Sequence, residues 1–208
     1  MSSIPLSTFD QAYENRTAPW VIGTPQPAVV ALDEHGWIGG TVLDVGCGTG
    51  ENAIHLAGRG HDVLGIDFSQ LAVDAARENA RRSGVPARFE VADALELPAE
   101  PRYDTIVDSA LFHLLGQEDR ALYAQRLHGV CRPGAVVHVL SLSDVDPGFG
   151  PVINEADVPA AFSSGWEVED LRRSRYRGRI DAEQSARLVL PEGETADMLA
   201  VLARVRKV

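Results

Sequence analysis

Four acidic residues stand at or just beyond the ends of short apolar runs: Asp44 in TVLDV, Asp67 in DVLGID, Asp93 in ARFEVAD and Asp108 in DTIVD. The first run opens into a glycine cluster, Gly46-Cys47-Gly48-Thr49-Gly50-Glu51, and a helix-like pattern follows. Glycines between a strand and a helix let bare backbone press against a nucleotide. Their spacing decides which kind. A dinucleotide loop reads G-x-G-x-x-G; here the third glycine comes one residue early and Glu51 stands in its place. A carboxylate there occupies the helix N-terminus that a pyrophosphate would seek. No Walker-type lysine follows, which excludes a phosphate cradle of the ATP kind. A ligand with a ribose, a base and a zwitterionic tail, but no phosphate, suits the loop better. The Gly46-Cys47-Gly48 backbone leaves room for sugar and tail, and Asp44 is placed to attract an ammonium group.

The remaining acids extend this edge. A carboxylate at Asp67 can accept hydrogen bonds from both ribose hydroxyls, with the ring of Phe68 beside the base. Asp93 and the backbone N–H of Ala94 match the exocyclic amine and a ring nitrogen of adenine. Asp108 closes the fourth run. Any one of these acids, taken singly, reads as a cap or a loop residue. Together, on consecutive strands beside the glycine loop, they read as one binding edge.

The elements that must hold this edge alternate. Residues 41–45, 62–67, 87–92, 104–108 and 135–142 read as strands, and 50–59, 69–84 and 117–130 as helices. Ser69 caps the second helix, Leu71, Ala72, Ala75, Ala76 and Ala80 recur at its period, and Gly84 ends it. Arg132-Pro133-Gly134 turns the chain into the fifth strand. Strands alternating with helices imply an α/β fold, a doubly wound parallel sheet with helices on both faces. After Asp144 the pattern breaks into a Pro- and Gly-rich stretch, read as an irregular lid over 144–165 with one short helix capped by Asn154 and Asp157. Strands follow at 167–177 and 198–206, with a turn-rich connection through VLPEGETADM. Ahead of the sheet, PWVIGTPQP is a rigid loop, and Pro27 opens a helix ending at Gly36. The expected organisation is a single domain: an extension and lid over 1–40, a ligand-binding core over 41–144, and a cap loop with the last strands over 145–208.

A chain of 208 residues suffices for one sizeable core. Its net charge of -11 repels phosphate backbones, which disfavours bulk nucleic-acid binding. The one basic strip, Arg172–Arg179, reads as the solvated face of a strand. Cys47 and Cys131 form no CxxC pair and no metal-ligand spacing, so neither a disulfide framework nor a metal site is expected. With no basic-then-apolar leader and no apolar run near the roughly 20 residues that cross a bilayer, no membrane partner is expected and a cytoplasmic location is.

On these motifs the chain resembles the class I S-adenosylmethionine-dependent methyltransferases. VLDVGCGTG at 42–50 is similar to that family's first motif, VLGIDFS at 63–69 to its ribose-binding segment, VADALEL at 91–97 to its adenine segment, and YDTIVDSALFH at 103–113 to its fourth-strand motif. RPGAVVHV at 132–139 resembles the entry to the fifth strand. The resemblance implies a Rossmann-like sheet of seven strands, the last antiparallel, with S-adenosylmethionine as cofactor. PWVIGTPQPAVV further resembles a segment of thiol, thiopurine, halide and tellurite-resistance methyltransferases that closes over the cofactor's methionine end. By that analogy Trp20 covers the sulfonium, where a π face favours a cation. The Asn/Asp-Pro-Pro-Tyr/Phe run of enzymes that methylate amino groups of DNA or protein glutamine is missing. Its place reads Asp108-Ser109-Ala110-Leu111.

Transfer from an activated cofactor needs two reactants in line and water kept out. A base is needed only when the nucleophile must lose a proton. His113, five residues past Asp108, is the expected general base for a phenol, thiol or ring nitrogen; the alternative is packing or substrate contact without proton transfer. Phe9, Tyr13, Phe112 and Phe149, together with Trp20, are expected to line an apolar pocket for a small, flat methyl acceptor. The expected activity is methyl transfer to O, S or N of a small aromatic or heterocyclic molecule. Two other readings stand beside it: a non-catalytic sensor that binds the cofactor, and a dinucleotide-dependent oxidoreductase, against which Glu51 argues. Oligomeric state leaves no mark on the sequence.

Overall fold

In the computed structural model, which describes residues 5–145 and 151–208, seven strands form one sheet in the order β3-β2-β1-β4-β5-β7-β6. The strands are β1 Thr41–Val45, β2 Asp62–Asp67, β3 Arg88–Val91, β4 Tyr103–Ser109, β5 Cys131–Leu142, β6 Trp166–Arg179 and β7 Thr195–Lys207. The first five are parallel, and β7 runs antiparallel between β5 and β6. Strand β6 therefore runs with the first five, and its carboxyl end reaches the same edge as the glycine loop. No helix among the described residues is long and apolar enough to cross a membrane.

Strand alternation splits the core into two layers. Val42, Val107 and Leu140 face α2 (Pro27–Glu34), α3 (Glu51–Gly58) and α4 (Gln70–Ser83). Leu43, Val45, Ile106, Val137 and Val139 face α5 (Gln117–Val130) and α6 (Asp157–Ala161). Leu56 and Leu127 are fully buried, one in each layer, and burial of such a side chain contributes roughly 1.5–3 kcal/mol.

Local chemistry explains most element ends. Ser69 Oγ accepts the Ala72 N–H at 3.2 Å, and Gly84 closes α4 in the left-handed conformation. Asn154 and Asp157 exchange turn bonds ahead of α6: the Asn154 N–H donates to Asp157 Oδ2, and the Ala156 N–H to Asn154 Oδ1. The expected Arg132–Gly134 turn is a bulge inside β5. Tyr103 pairs Cys131, then Thr105 pairs Val136, so three extra residues loop out.

Two helices were not legible from periodicity. Helix α1 (Leu6–Glu14) buries little of its own surface beyond Phe9, and docking holds it. Helix α7 (Ala182–Leu188) lies in the β6–β7 connection that reads as a turn-rich link. Its start is a capping box: Asp181 Oδ1 accepts the Gln184 N–H, and Gln184 Oε1 accepts the Asp181 N–H. The Arg172–Arg179 strip lies on β6, with Arg173, Arg175 and Arg179 exposed, Arg172 over the Trp37 ring and Arg177 paired with Asp197.

Candidate active site

A cavity of about 610 Å³ opens at the carboxyl edge of the sheet. The glycine loop, the ends of β2 and β4, helix α1, the loop after it, and the β6–β7 connection all contribute to its wall. Gly46 and Gly48 have φ of +67° and +53°, which an L side chain rarely adopts. A Cβ at Gly48 would sit 3.3 Å from Tyr13 Oη, so bare backbone is what lets α1 approach. Gly50, at φ +87°, caps α3, and a Cβ there would collide with Phe89 and Ala76.

Asp67 is held in place by backbone. Its Oδ2 accepts the Gly48 N–H and its Oδ1 the Ser69 N–H, both at 2.9 Å. Burial raises its pKa, and these bonds oppose the shift. Asp44 is 1% exposed, and its Oδ2 has no hydrogen-bond partner. Burial pushes its carboxyl up to about 7, with Glu51, Asp108 and Asp67 adding to the rise and the Ala53 N–H opposing it. Glu51 accepts the Thr49 hydroxyl at 2.7 Å. Neither lysine nor arginine lines the cavity among the described residues. Asp67 and Glu51 in the wall, the orphaned Asp44 carboxylate buried on β1 outside the lining, and no cation fit a positively charged, phosphate-free ligand and oppose a pyrophosphate. The S-adenosylmethionine cofactor has that chemistry, with a sulfonium and an ammonium group.

The N-terminal segment forms a roof. Trp20 Nε1 donates to Tyr13 Oη at 3.0 Å, and the two rings meet edge-on. Phe9 packs against both Trp20 and Phe68. Ser69 Oγ donates to Asp10 Oδ1 at 2.5 Å and ties α1 to the start of α4. Gln26 fastens the far end of the segment: its amide bonds both the N–H and the carbonyl of Arg177. Phe9, Tyr13, Trp20, Phe68, Cys47 and Ala94 all line the cavity.

Four expected site residues, Asp44, Asp93, Asp108 and Phe112, do not line the cavity. Asp108 is fully buried and spends both oxygens internally: Oδ1 accepts from the Leu111 and Phe112 N–H groups, and Oδ2 from the Tyr123 hydroxyl. It braces the turn after β4 and does not line the cavity. Burial pushes its carboxyl up to about 6, and those three bonds oppose the rise. Phe112 belongs to the core, against Tyr123 and Phe162, with the Arg120 guanidinium over its ring. Asp93 is exposed outside the cavity wall and accepts the Leu95 N–H at 2.8 Å. Phe149 lies outside the described residues.

His113 does line the cavity, but not as expected. Its Nδ1 accepts the Leu142 N–H at 3.2 Å. The neutral ring must then carry its hydrogen on Nε2. Burial, helped by the charge of Arg120, pushes its pKa down to about 3. The imidazole is thus a hydrogen-bond donor, not a general base. Leu111, Leu114, Leu142, Tyr176 and Met198 give the wall on this side an apolar character. Tyr176, Met198 and Gln184 were missed in the sequence because β6, β7 and α7 carry no local ligand motif. Only the Asp181-x-x-Gln184 spacing of a capping box was there to be read.

The model of the family described as methyltransferase domain matches residues 42–134. A 2-heptyl-1-hydroxyquinolin-4(1H)-one methyltransferase of Mycobacteroides abscessus is 36% identical over 172 residues, spanning 80% of this chain and 76% of that protein. A solved structure concerned with the conversion of a disulfide bond into a thioacetal group during echinomycin biosynthesis is 38% identical. It superposes with a TM-score of 0.87 over 97% of this chain and 91% of its own. The 1,6-didemethyltoxoflavin-N1-methyltransferase of Burkholderia thailandensis, at 21% identity and a TM-score of 0.71 over 97% of this chain and 86% of its own, shares the fold.

Proposed function

This chain belongs to the S-adenosylmethionine-dependent methyltransferases that act on small molecules, and from that premise we propose that it methylates an O, S or N atom of a small aromatic or heterocyclic acceptor. The cofactor supplies an activated methyl group on a positively charged sulfur. Asp67 and the Gly46–Gly48 backbone would hold its ribose and tail and Ala94 its adenine, while the Asp44 carboxylate, buried on β1 outside the lining, would attract its ammonium charge from a distance. Trp20, Tyr13 and Phe9 roof the site and exclude water, which strengthens every charge interaction beneath them. A dinucleotide-dependent oxidoreductase is no longer a reading of this fold.

The observation that carries the proposal is the two-sided lining of one cavity: carboxylates and bare backbone toward β1 and β2, apolar side chains and His113 toward β4 and β6. His113, Tyr13, Tyr176 and Cys47 are poor proton acceptors, and the carboxylate on the β6 side of the cavity is Asp181. The imidazole lone pair is spent on Leu142, and burial raises the phenols and the thiol. An acceptor that arrives already ionised, or attacks through a neutral sulfur or ring nitrogen, needs no strong base and suits this lining best. An N-hydroxy quinolone, the acceptor class named for the mycobacterial relative, and a sulfur of the kind named for the echinomycin structure both meet that requirement. The test is methyl transfer from labelled cofactor to a panel of N-hydroxy heterocycles, thiols, disulfides and simple alcohols. Labelling of the first three groups with none of the alcohols is expected; efficient labelling of unactivated alcohols would contradict it.

A further inference from the structure

Helix α7 brings one polar side chain to the cavity that nothing above employs. Gln184 is 8% exposed and lines the wall. Its amide cannot turn freely, because Oε1 accepts the Asp181 N–H at 3.1 Å while its own backbone N–H donates to Asp181 Oδ1 at 2.8 Å. The capping box consumes the acceptor end. The Nε2 hydrogens find no acceptor among the described residues. Gln26, also buried on this cavity, differs: both ends of its amide are used on Arg177. With Oε1 spent on the cap and the residue in the cavity wall, the Nε2 end is the part of the amide left to meet a ligand.

Topology says which part of the ligand it meets. The cofactor edge is formed by β1 and β2, whereas α7 follows β6 at the opposite end of the strand order. His113 follows β4, between them. The chamber beyond the cofactor thus has an apolar wall of Leu111, Leu114, Leu142, Tyr176 and Met198, two N–H donors on His113 and Gln184, and the Asp181 carboxylate beside Gln184.

We propose that Gln184 is a specificity-determining residue whose Nε2 donates to a carbonyl, ring-nitrogen or anionic oxygen acceptor on the methyl-accepting substrate. This rests on the chamber being the acceptor site. The substrate is then a flat apolar molecule with at least one exposed hydrogen-bond acceptor away from the methylated atom.

Gln184→Glu is the discriminating variant. A glutamate oxygen still accepts the Asp181 N–H, so the helix cap survives, but the cavity-facing donor becomes an acceptor. With S-adenosylhomocysteine saturating, calorimetry would compare quinolin-4(1H)-one with 4-aminoquinoline on both proteins. The wild type is expected to favour the carbonyl probe. The variant, with an unchanged melting temperature, is expected to shift the ratio of dissociation constants about tenfold or more toward the amine. Gln184→Met, which loses cap and donor together, separates a folding effect from recognition: it should lower the melting temperature without gaining the amine. An unchanged ratio in Gln184→Glu, or failure of the wild type to bind either probe, overturns the proposal. Methyl transfer by the wild type is read in a separate assay. A live enzyme with an unchanged probe ratio refutes only the role of Gln184; a shifted ratio without any methylated acceptor refutes only the proposed activity.

Discussion

The Nδ1 atom of His113 accepts the backbone N–H of Leu142 at 3.2 Å, and this one contact fixes the imidazole as a donor toward the cavity. The histidine that follows β4 reads as a base in the sequence. In the fold its lone pair already belongs to the neighbouring strand β5.

A pH profile tests this directly. With a pKa near 3 the ring stays neutral across the working range. With cofactor saturating and an acceptor that does not titrate, kcat/KM for the acceptor should show no histidine inflection from about pH 5 to 8. An inflection near the ordinary histidine value that disappears in His113→Asn would contradict the donor assignment. His113→Ala should lower kcat/KM roughly tenfold or more with cofactor affinity intact. His113→Asn, whose amide can accept from Leu142 and still donate, should recover part of the loss.

Asp44 should show opposite effects on stability and function. Its folded pKa, about 7, lies above the ordinary aspartate value of 3.8. The folded state then holds a proton that the unfolded chain has released, so the stabilisation from this group is present at low pH and lost as pH rises through 7. Asp44→Asn cannot ionise. Without cofactor it should melt higher than the wild type at pH 8, by about 2–4 °C for each kcal/mol relieved, and by clearly less at pH 5. Its S-adenosylmethionine affinity should fall about tenfold or more, because a cation loses its counter-charge. An equal thermal gain at both pH values would show that ionisation of Asp44 is not the cause.

The bond from Trp20 Nε1 to Tyr13 Oη should matter more for the cofactor than for the fold. Tyr13→Phe leaves the indole N–H unmet beneath the roof, at a cost of about 1–3 kcal/mol. Binding of S-adenosylhomocysteine should weaken at least fivefold or so, with faster amide exchange over α1 and the following loop. Unaltered binding and exchange would mean the roof is held by ring packing alone.

Gly50→Ala should be among the most damaging single-methyl changes. The backbone is at φ +87°, and the added Cβ would lie 2.8 Å from Phe89 Cζ and 2.9 Å from Ala76 Cβ. Left-handed strain and overpacking each cost roughly 1–3 kcal/mol. Loss of several degrees in thermal melting is expected. A melting point within a degree of wild type would show that α4 and β3 shift freely.

The alternation of strands and helices, the capped α4 and the acidic strand ends were legible because each depends on residues adjacent in the chain. The same is true of the glycine loop, whose positive φ angles are dictated by glycine itself, and of the absence of a phosphate site, which follows from Glu51. Asp108 and Phe112 misled because strand-end position does not say which way a side chain turns. The hydroxyl of Tyr123 and the rings of Tyr123 and Phe162 took them into the core. Helix α1 has too small an apolar face to announce itself and is held by contacts to Phe68 and Ser69, some 60 residues on.

By itself, then, the sequence determined the glycine loop, the cap of α4 and the order of strands and helices, since a turn, a cap and a strand are settled over a few consecutive residues. The fold decided the rest of the site. The tautomer of His113 depends on an amide 29 positions away, and the free donor of Gln184 reaches the cavity only because β7 runs antiparallel and carries β6 to the same edge. Hydrogen-bond partners and facing surfaces are set by distance in space, and periodicity along a chain carries no record of them.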